Sequence, residues 1–235
     1  MLDLDKKQSC AAVILAAGAF TRMRGINKQL AVVGGMPVMA HTLLAFESCG
    51  EIDEIVLVSR PEDRSEFEAL AVKNAITKLS RIVDGGATRL ESSLKGVSAL
   101  DRFVRFAAIH DGARALVTPQ LIGRVVRQAK RYGAAVPAVP VNDTIKKANG
   151  GMITDTLDRG VLFIAQTPQV FDAALIKGAL HKAVRDGADV TDDSQAAERI
   201  GMRVCLTEGD YENIKVTTPG DLLLAEAILE RRPRA

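Results

Sequence analysis

Arg22, Arg24 and Lys28 sit close together, just after a short apolar, β-branched run that ends in Ala16-Ala17-Gly18. Small residues followed by clustered cations suit one kind of chemistry. An anion can approach backbone N–H groups where side chains are small, and the cations then neutralise it, so the pattern fits a bound phosphate. Gly18 has no partner glycine and G-x-G-x-x-G is absent, which sets aside the dinucleotide fingerprint. A buried strand followed by a solvated basic loop explains the same residues. A leader peptide built on Lys6, Lys7 and the apolar run is a further reading. Asp3 and Asp5 spoil its charged start, and the cations stand where its cleavage site belongs.

Similar mixtures of small and polar residues recur at Asp84-Gly85-Gly86, at His110-Asp111-Gly112-Ala113-Arg114 and at 140–144. Lys215 lies in the apolar run Ile214-Lys215-Val216, where an unpaired charge is costly. His41, His110 and His181 are scattered and form no metal set. Cys10, Cys49 and Cys205 are equally far apart and without C-x-x-C spacing. They read as small residues of a reducing cytoplasm, neither disulfides nor zinc ligands.

The elements that must position these groups alternate along the chain. Apolar runs at 12–15, 55–59, 81–83, 104–109 and 134–139 predict strands, each of the first four followed by a helical segment. Met39, Leu43 and Phe46 share one face of a helix over 36–48, opened by Pro37. Thr118-Pro119 is a cap-plus-proline start for a helix to about Tyr132. The β-α alternation predicts a largely parallel sheet with helices on both faces. In such sheets ligands lie outside the carboxyl ends of the strands, which is where the loops 16–28, 84–93, 110–114 and 140–144 fall.

Between 140 and 169 the pattern changes. Short alternating segments at 144–148 and 152–157 flank Asn149-Gly150-Gly151, a hairpin turn. An isolated two-stranded hairpin is marginal in water, so this arm rests on the parent domain or on a second subunit. Helices at 173–184 and 192–200, a strand at 203–206 and a helix at 218–229 complete the chain. One domain over 1–235, with an arm at about 141–165, accounts for the whole sequence.

Composition limits the classes of function. No apolar run approaches the roughly 18 residues a membrane helix needs, so we expect a soluble protein with no membrane partner. Basic and acidic residues nearly balance at 31 and 29, without a block of one sign, and aromatic content is 4% with no tryptophan. Both points count against a nucleic-acid partner.

Seven segments in order resemble the 2-C-methyl-D-erythritol 4-phosphate cytidylyltransferases, enzymes of non-mevalonate isoprenoid synthesis. They are LAAG…RM…KQ at 15–29, GG-x-x-R-x-x-S at 85–92, HD-x-A-R at 110–114, P-V-x-D-T at 140–144, R-x₇-T-P-Q at 159–169, T-D-D at 191–193 and N-I-K-V-T at 213–217. Ribitol-5-phosphate cytidylyltransferases share much of the pattern and remain an alternative acceptor class, and a catalytically silent nucleotide-binding protein is a more distant one. The resemblance implies a Rossmann-like nucleotidyltransferase fold that joins CTP to a polyol phosphate with Mg²⁺, in a cytoplasmic homodimer linked through the arm. It implies that Arg22, Lys28 and Lys215 meet the triphosphate. Ala16, Ala17, Gly18, Gly86 and Ser92 then hold the nucleotide, and Asp111, Arg114, Thr144, Arg159 and Thr167 the acceptor. T-D-D reads equally as a helix cap with acids in the first turn. The chain departs from the family pattern at Phe20, at Asn27 before Lys28, and at Ala115 after Arg114.

Overall fold

The structure, a computed structural model, describes residues 8–18 and 27–232. Phe20, Arg22 and Arg24 lie outside the described residues.

Strand β1 (Cys10–Leu15) shows why the chain forms a doubly covered sheet. All six residues are buried. Cys10, Ala12 and Ile14 pack on one side with Met39, Leu43 and Phe46, while Val13 and Leu15 pack on the other with Val97 and Leu180. A strand apolar at every position suits a sheet buried on both faces. β1 runs parallel to β4 (Glu54–Ser59) and β6 (Phe106–Asp111), and β4 runs parallel to β5 (Leu79–Asp84). On one face lie α1 (Val38–Glu47), α2 (Arg64–Lys73) and α4 (Pro119–Tyr132). On the other lie α3 (Arg89–Ser98), α5 (Ala173–Arg185) and α6 (Asp193–Glu198). The predicted face of α1 is fully buried. The predicted start of α4 also holds: Thr118 accepts the Leu121 N–H, Pro119 opens the helix, and Gly133 closes it at φ 89°.

Three features differ from the sequence expectation. Pro37 precedes α1 and, with Met36, forms β3 (Met36–Pro37) against β2 (Val32–Val33). β6 continues through His110 and Asp111, so those two residues belong to the strand and not to the loop after it. Most significantly, β11 (Gln169–Asp172), a strand the sequence reading did not include, inserts antiparallel between β6 and β7 (Ala134–Pro140). β10 (Phe163–Ala165) continues along the same edge of β7, and β12 (Cys205–Glu208) runs parallel on its other edge. Pro137 O accepts the Gln166 N–H and Ala138 O the Gly209 N–H, facing opposite ways as two edges require.

The arm is β8 (Lys146–Asn149) paired with β9 (Met152–Thr156), and each bonds to the other alone. Gly150 and Gly151, at φ 55° and 80°, make the two-residue turn that needs left-handed backbone at both positions. A third apolar cluster joins Val33, Leu116 and Val216 to Ala225 and Ile228 of α7 (Pro219–Arg231). It seats the 213–217 segment against the loop after β6, where the Val216 N–H donates to Ala113 O at 2.9 Å.

Candidate active site

β1, β5, β6 and β7 point the same way, so their following loops gather at one end of the sheet. There the segments after β1, β5 and β6, with Lys215, enclose a cleft of about 280 Å³. Its walls include Ala17, Gly18, Lys28, Gly86, Ser92, Asp111 and Lys215, seven of the thirteen expected site residues.

Close contacts fix the walls. A Cβ on Gly96 would lie 2.3 Å from Val13 Cγ1 and 2.7 Å from Val58 Cγ2, so α3 rests directly on β1 and β4. A Cβ on Gly85 would lie 2.2 Å from Ala17 Cβ, which brings the loops after β5 and β1 into contact. The Ser92 hydroxyl accepts the Gly86 N–H at 3.0 Å and donates to Thr88 O at 2.9 Å, so it shapes the glycine loop it was expected to assist. Ala16 is buried, and its N–H extends the sheet by donating to Val58 O at 2.7 Å. That amide is therefore committed to the sheet, and Ala17 and Gly18 form the cleft surface there.

At the opposite wall Asp111 is the hub of a charge cluster. Lys215 Nζ is 2.7 Å from Oδ2, Arg89 Nε 3.2 Å from Oδ1, and Arg114 Nε 3.9 Å from Oδ2. Burial alone would raise the Asp111 carboxyl. Arg89, Lys215 and Arg114 outweigh it and hold the group well below the usual carboxylate range. Lys215 thus satisfies the expectation that a lysine in an apolar run finds a partner.

Arg89 was not among the expected site residues. It bridges Asp111 to Asp193, with Nη2 2.7 Å from Asp193 Oδ2. Burial would lower its basicity, but the two carboxylates more than reverse that and keep it firmly protonated. Its only sequence signal was its place inside GG-x-x-R-x-x-S. The T-D-D segment acts as a cap, as one reading held: Asp192 accepts the Gln195 N–H, while Asp193 turns inward to Arg89.

The remaining expected residues stand behind or away from the walls. Arg114 is largely buried, donates to Asn213 O at 2.6 Å, and has its basicity lowered by burial against the opposing pull of Asp111. Thr167 is buried behind Asp111. Its hydroxyl accepts the Asp111 N–H at 3.1 Å and lies 3.0 Å from His110 Nδ1. The hydroxyl and Nδ1 share one hydrogen bond, and burial keeps the imidazole neutral by pushing its pKa down to about 3. Thr144 and Arg159 are exposed beyond the cleft; Arg159 Nη1 donates to Asn142 O at 2.6 Å, at the root of the arm.

Among the described residues the walls carry three cations, Lys28, Arg89 and Lys215, against one carboxylate, Asp111. Small, backbone-lined surface on one side and excess positive charge on the other is an arrangement that accepts a polyanion and can offset charge at a reacting phosphorus.

Known proteins carry the same architecture. A crystal structure of 4-diphosphocytidyl-2C-methyl-D-erythritol synthase from Anaerococcus prevotii superposes with a TM-score of 0.86 at 32% identity, covering 96% of this chain and 97% of that one. The 2-C-methyl-D-erythritol 4-phosphate cytidylyltransferase of Thermus thermophilus gives 0.78 at 32% identity, over 93% and 98%. The protein of that name from Geobacillus kaustophilus is 47% identical over 222 residues, 94% of this chain and 97% of its own. Residues 10–231 match the family described as IspD, 2-C-methyl-D-erythritol 4-phosphate cytidylyltransferase, and the chain belongs to that family of nucleotidyltransferases.

Proposed function

We propose that the chain transfers the cytidylyl group of CTP to 2-C-methyl-D-erythritol 4-phosphate, releasing pyrophosphate and forming 4-diphosphocytidyl-2-C-methyl-D-erythritol. The observation that carries this reading is the excess of cations over carboxylates in a cleft at the carboxyl ends of the strands. An oxygen of the acceptor phosphate attacks the α-phosphorus of CTP, and two anions must meet for that to happen. Lys28 and Lys215, with Arg22, offset the charge at the triphosphate. Gly86 and Ser92 with the backbone at 16–18 leave room for a pyrimidine. Asp111, held ionised, accepts hydrogen bonds from the polyol hydroxyls. Arg114 and Thr167 support the acceptor side from behind Asp111.

The donor set suits a magnesium ion that arrives on the nucleotide. Among the described residues no three His, Cys, Asp or Glu side chains cluster as a metal cage, and both Asp111 oxygens face cations. Mg²⁺ bound chiefly by phosphate oxygens and water needs no such cage, and it supplies further charge neutralisation when present.

The reading extends to one nucleotidyltransferase domain that dimerises through the arm at about 141–165, bringing Thr144 and Arg159 to the partner's cleft. Met152, Ile153 and Val161 expose apolar surface there, which supports a covering second copy. We place the enzyme in the cytoplasm. The free thiols of Cys10, Cys49 and Cys205 support a reducing compartment, and no described helix is long and apolar enough to cross a membrane.

One assay tests the reading: pyrophosphate release with CTP, ATP, GTP and UTP, each crossed with 2-C-methyl-D-erythritol 4-phosphate and ribitol 5-phosphate. We expect turnover with CTP and the methylerythritol phosphate alone. Preference for ribitol 5-phosphate would move the chain to the other acceptor class.

A further inference from the structure

Lys28 reaches the cleft from a short segment anchored on both sides. Before it, the Asn27 side chain donates through Nδ2 to Asp63 Oδ1 at 2.9 Å and accepts the Gln29 N–H at 3.0 Å. Behind it, Gln29 O and Ala31 O accept the N–H groups of Met39 and Val38, the first turn of α1, at 2.9 Å each. Asp63 is itself fixed. It is nearly buried in the 3-10 turn after β4, and Arg60 grips both of its oxygens, Nε to Oδ2 at 2.9 Å and Nη2 to Oδ1 at 3.0 Å.

The hydrogen bond from Asn27 is made to a carboxylate already held by Arg60 through two others, so it is short and directional. It ties the segment after β1 to the turn after the neighbouring strand β4. A lysine is a point charge on a flexible stem, so its value at a reacting phosphorus depends on how well its backbone is held. We propose that Asn27 and Asp63 are positioning residues for the cytidylyl transfer, acting through Lys28. The proposal rests on the reading that Lys28 meets the triphosphate, and the experiment separates the two.

Steady-state kinetics would be run with thermal melts on Asn27→Ala, Lys28→Ala, their double variant, Asn27→Asp, and Asn27→Asp with Asp63→Asn. Asn27→Asp keeps the acceptor for the Gln29 N–H and sets a carboxylate against Asp63, while Asn27→Ala controls for the charge it adds beside Lys28. The expected result is a fall in kcat of roughly tenfold to a hundredfold for Asn27→Ala and Asn27→Asp, as for a displaced catalytic group. The KM for the acceptor and the melting temperature should stay near those of the unaltered enzyme. Adding Asn27→Ala to Lys28→Ala should cost nothing further, since the effect runs through that lysine. Asp63→Asn should restore part of the loss in Asn27→Asp by remaking the bond in the reverse direction, while giving up the Arg60 Nη2 bond to Oδ1. Normal turnover by Asn27→Ala beside a slow Lys28→Ala overturns the proposal, and so do fully additive losses. Normal turnover by Lys28→Ala removes the role given to Lys28, and the proposal with it.

Discussion

In the cleft, charged side chains are answered from within the same chain. Asp111 meets Lys215 and Arg89, Arg89 meets Asp193, and Arg114 meets the carbonyl of Asn213. Along the arm, residues 146–161 are all exposed and β8 and β9 bond only to each other. The cleft is thus arranged before any substrate arrives, because burial and ion pairing leave each group few alternatives. The arm has its hairpin geometry from Gly150 and Gly151 but little burial to hold it in place. Preorganisation inside the domain and incompleteness outside it make different demands on substitutions, and four experiments separate them.

The largest effect belongs to the cleft. Lys215→Ala removes a cation from the cleft wall and the nearest partner of Asp111. We expect kcat to fall by roughly 10²–10³, the loss typical of one transition-state electrostatic contact. Circular dichroism should show a folded protein. A folded variant with near-normal turnover would place Lys215 outside the chemistry and leave it as a structural counter-ion.

The arm is tested through Arg159. Its guanidinium holds the carbonyl of Asn142 in its own chain, yet it lies away from its own cleft. If a second copy receives it, Arg159→Ala should lower turnover by about tenfold to a hundredfold, as for a lost charged contact. Mixing this variant with Lys28→Ala under subunit exchange then yields dimers with one intact site. Activity should recover to about a quarter of the unaltered level for a symmetric dimer formed at random. No recovery, with mixed dimers confirmed by mass spectrometry, means that Arg159 does not serve the other cleft.

The same contrast explains what the sequence could reveal. Local signals were legible: the face of Met39, Leu43 and Phe46, the Thr118-Pro119 start of α4, and small residues at successive strand ends. Each depends on neighbours within a few positions. β11 was missed because four residues after Pro168 carry almost no periodicity, and its partners Phe106 to Ile109 lie some sixty residues back. His110 and Asp111 looked like loop residues because they are polar, although the strand buries both. Arg89 carried no role in the sequence, because Asp193, which folding brings beside it, lies 104 positions away. What decides a charged residue's role is the partner folding brings to it, and spacing along the chain does not show that partner.

A smaller effect should appear in the support behind Asp111. His110 is fully buried with its pKa pushed down to about 3, while the unfolded chain titrates near 6.5. Because the unfolded state takes up the proton first, the stability is complete above about pH 6.5 and is lost as the pH falls toward 3. Between pH 7 and pH 5 the loss should be about 2 kcal/mol, before the carboxylates begin to titrate. Urea unfolding across that range measures it. His110→Gln keeps a hydrogen-bonding group for the Thr167 hydroxyl without a titratable ring, so its stability should be nearly flat from pH 7 to pH 5. An equal slope in both proteins would assign the pH dependence to another group.

Ile153→Ser makes the smallest change and tests the arm's incompleteness most directly. The side chain is 65% exposed on β9, so within one chain its removal should alter unfolding by no more than about 0.5 kcal/mol, as for an ordinary surface substitution. If a second copy covers it, part of its apolar surface leaves water on association. The side chain occurs twice in a two-fold dimer, so losing about 0.7 kcal/mol per copy raises the dimer Kd about tenfold. Sedimentation over a dilution series reads the Kd, and melts at two protein concentrations show whether stability now depends on assembly. Activity at high protein concentration should stay near normal, because the cleft residues are untouched. An unchanged Kd with unchanged melts would mean that the exposed face of β9 stays in water. The arm would then be a free-standing hairpin, and the contrast with the cleft would rest on exposure alone.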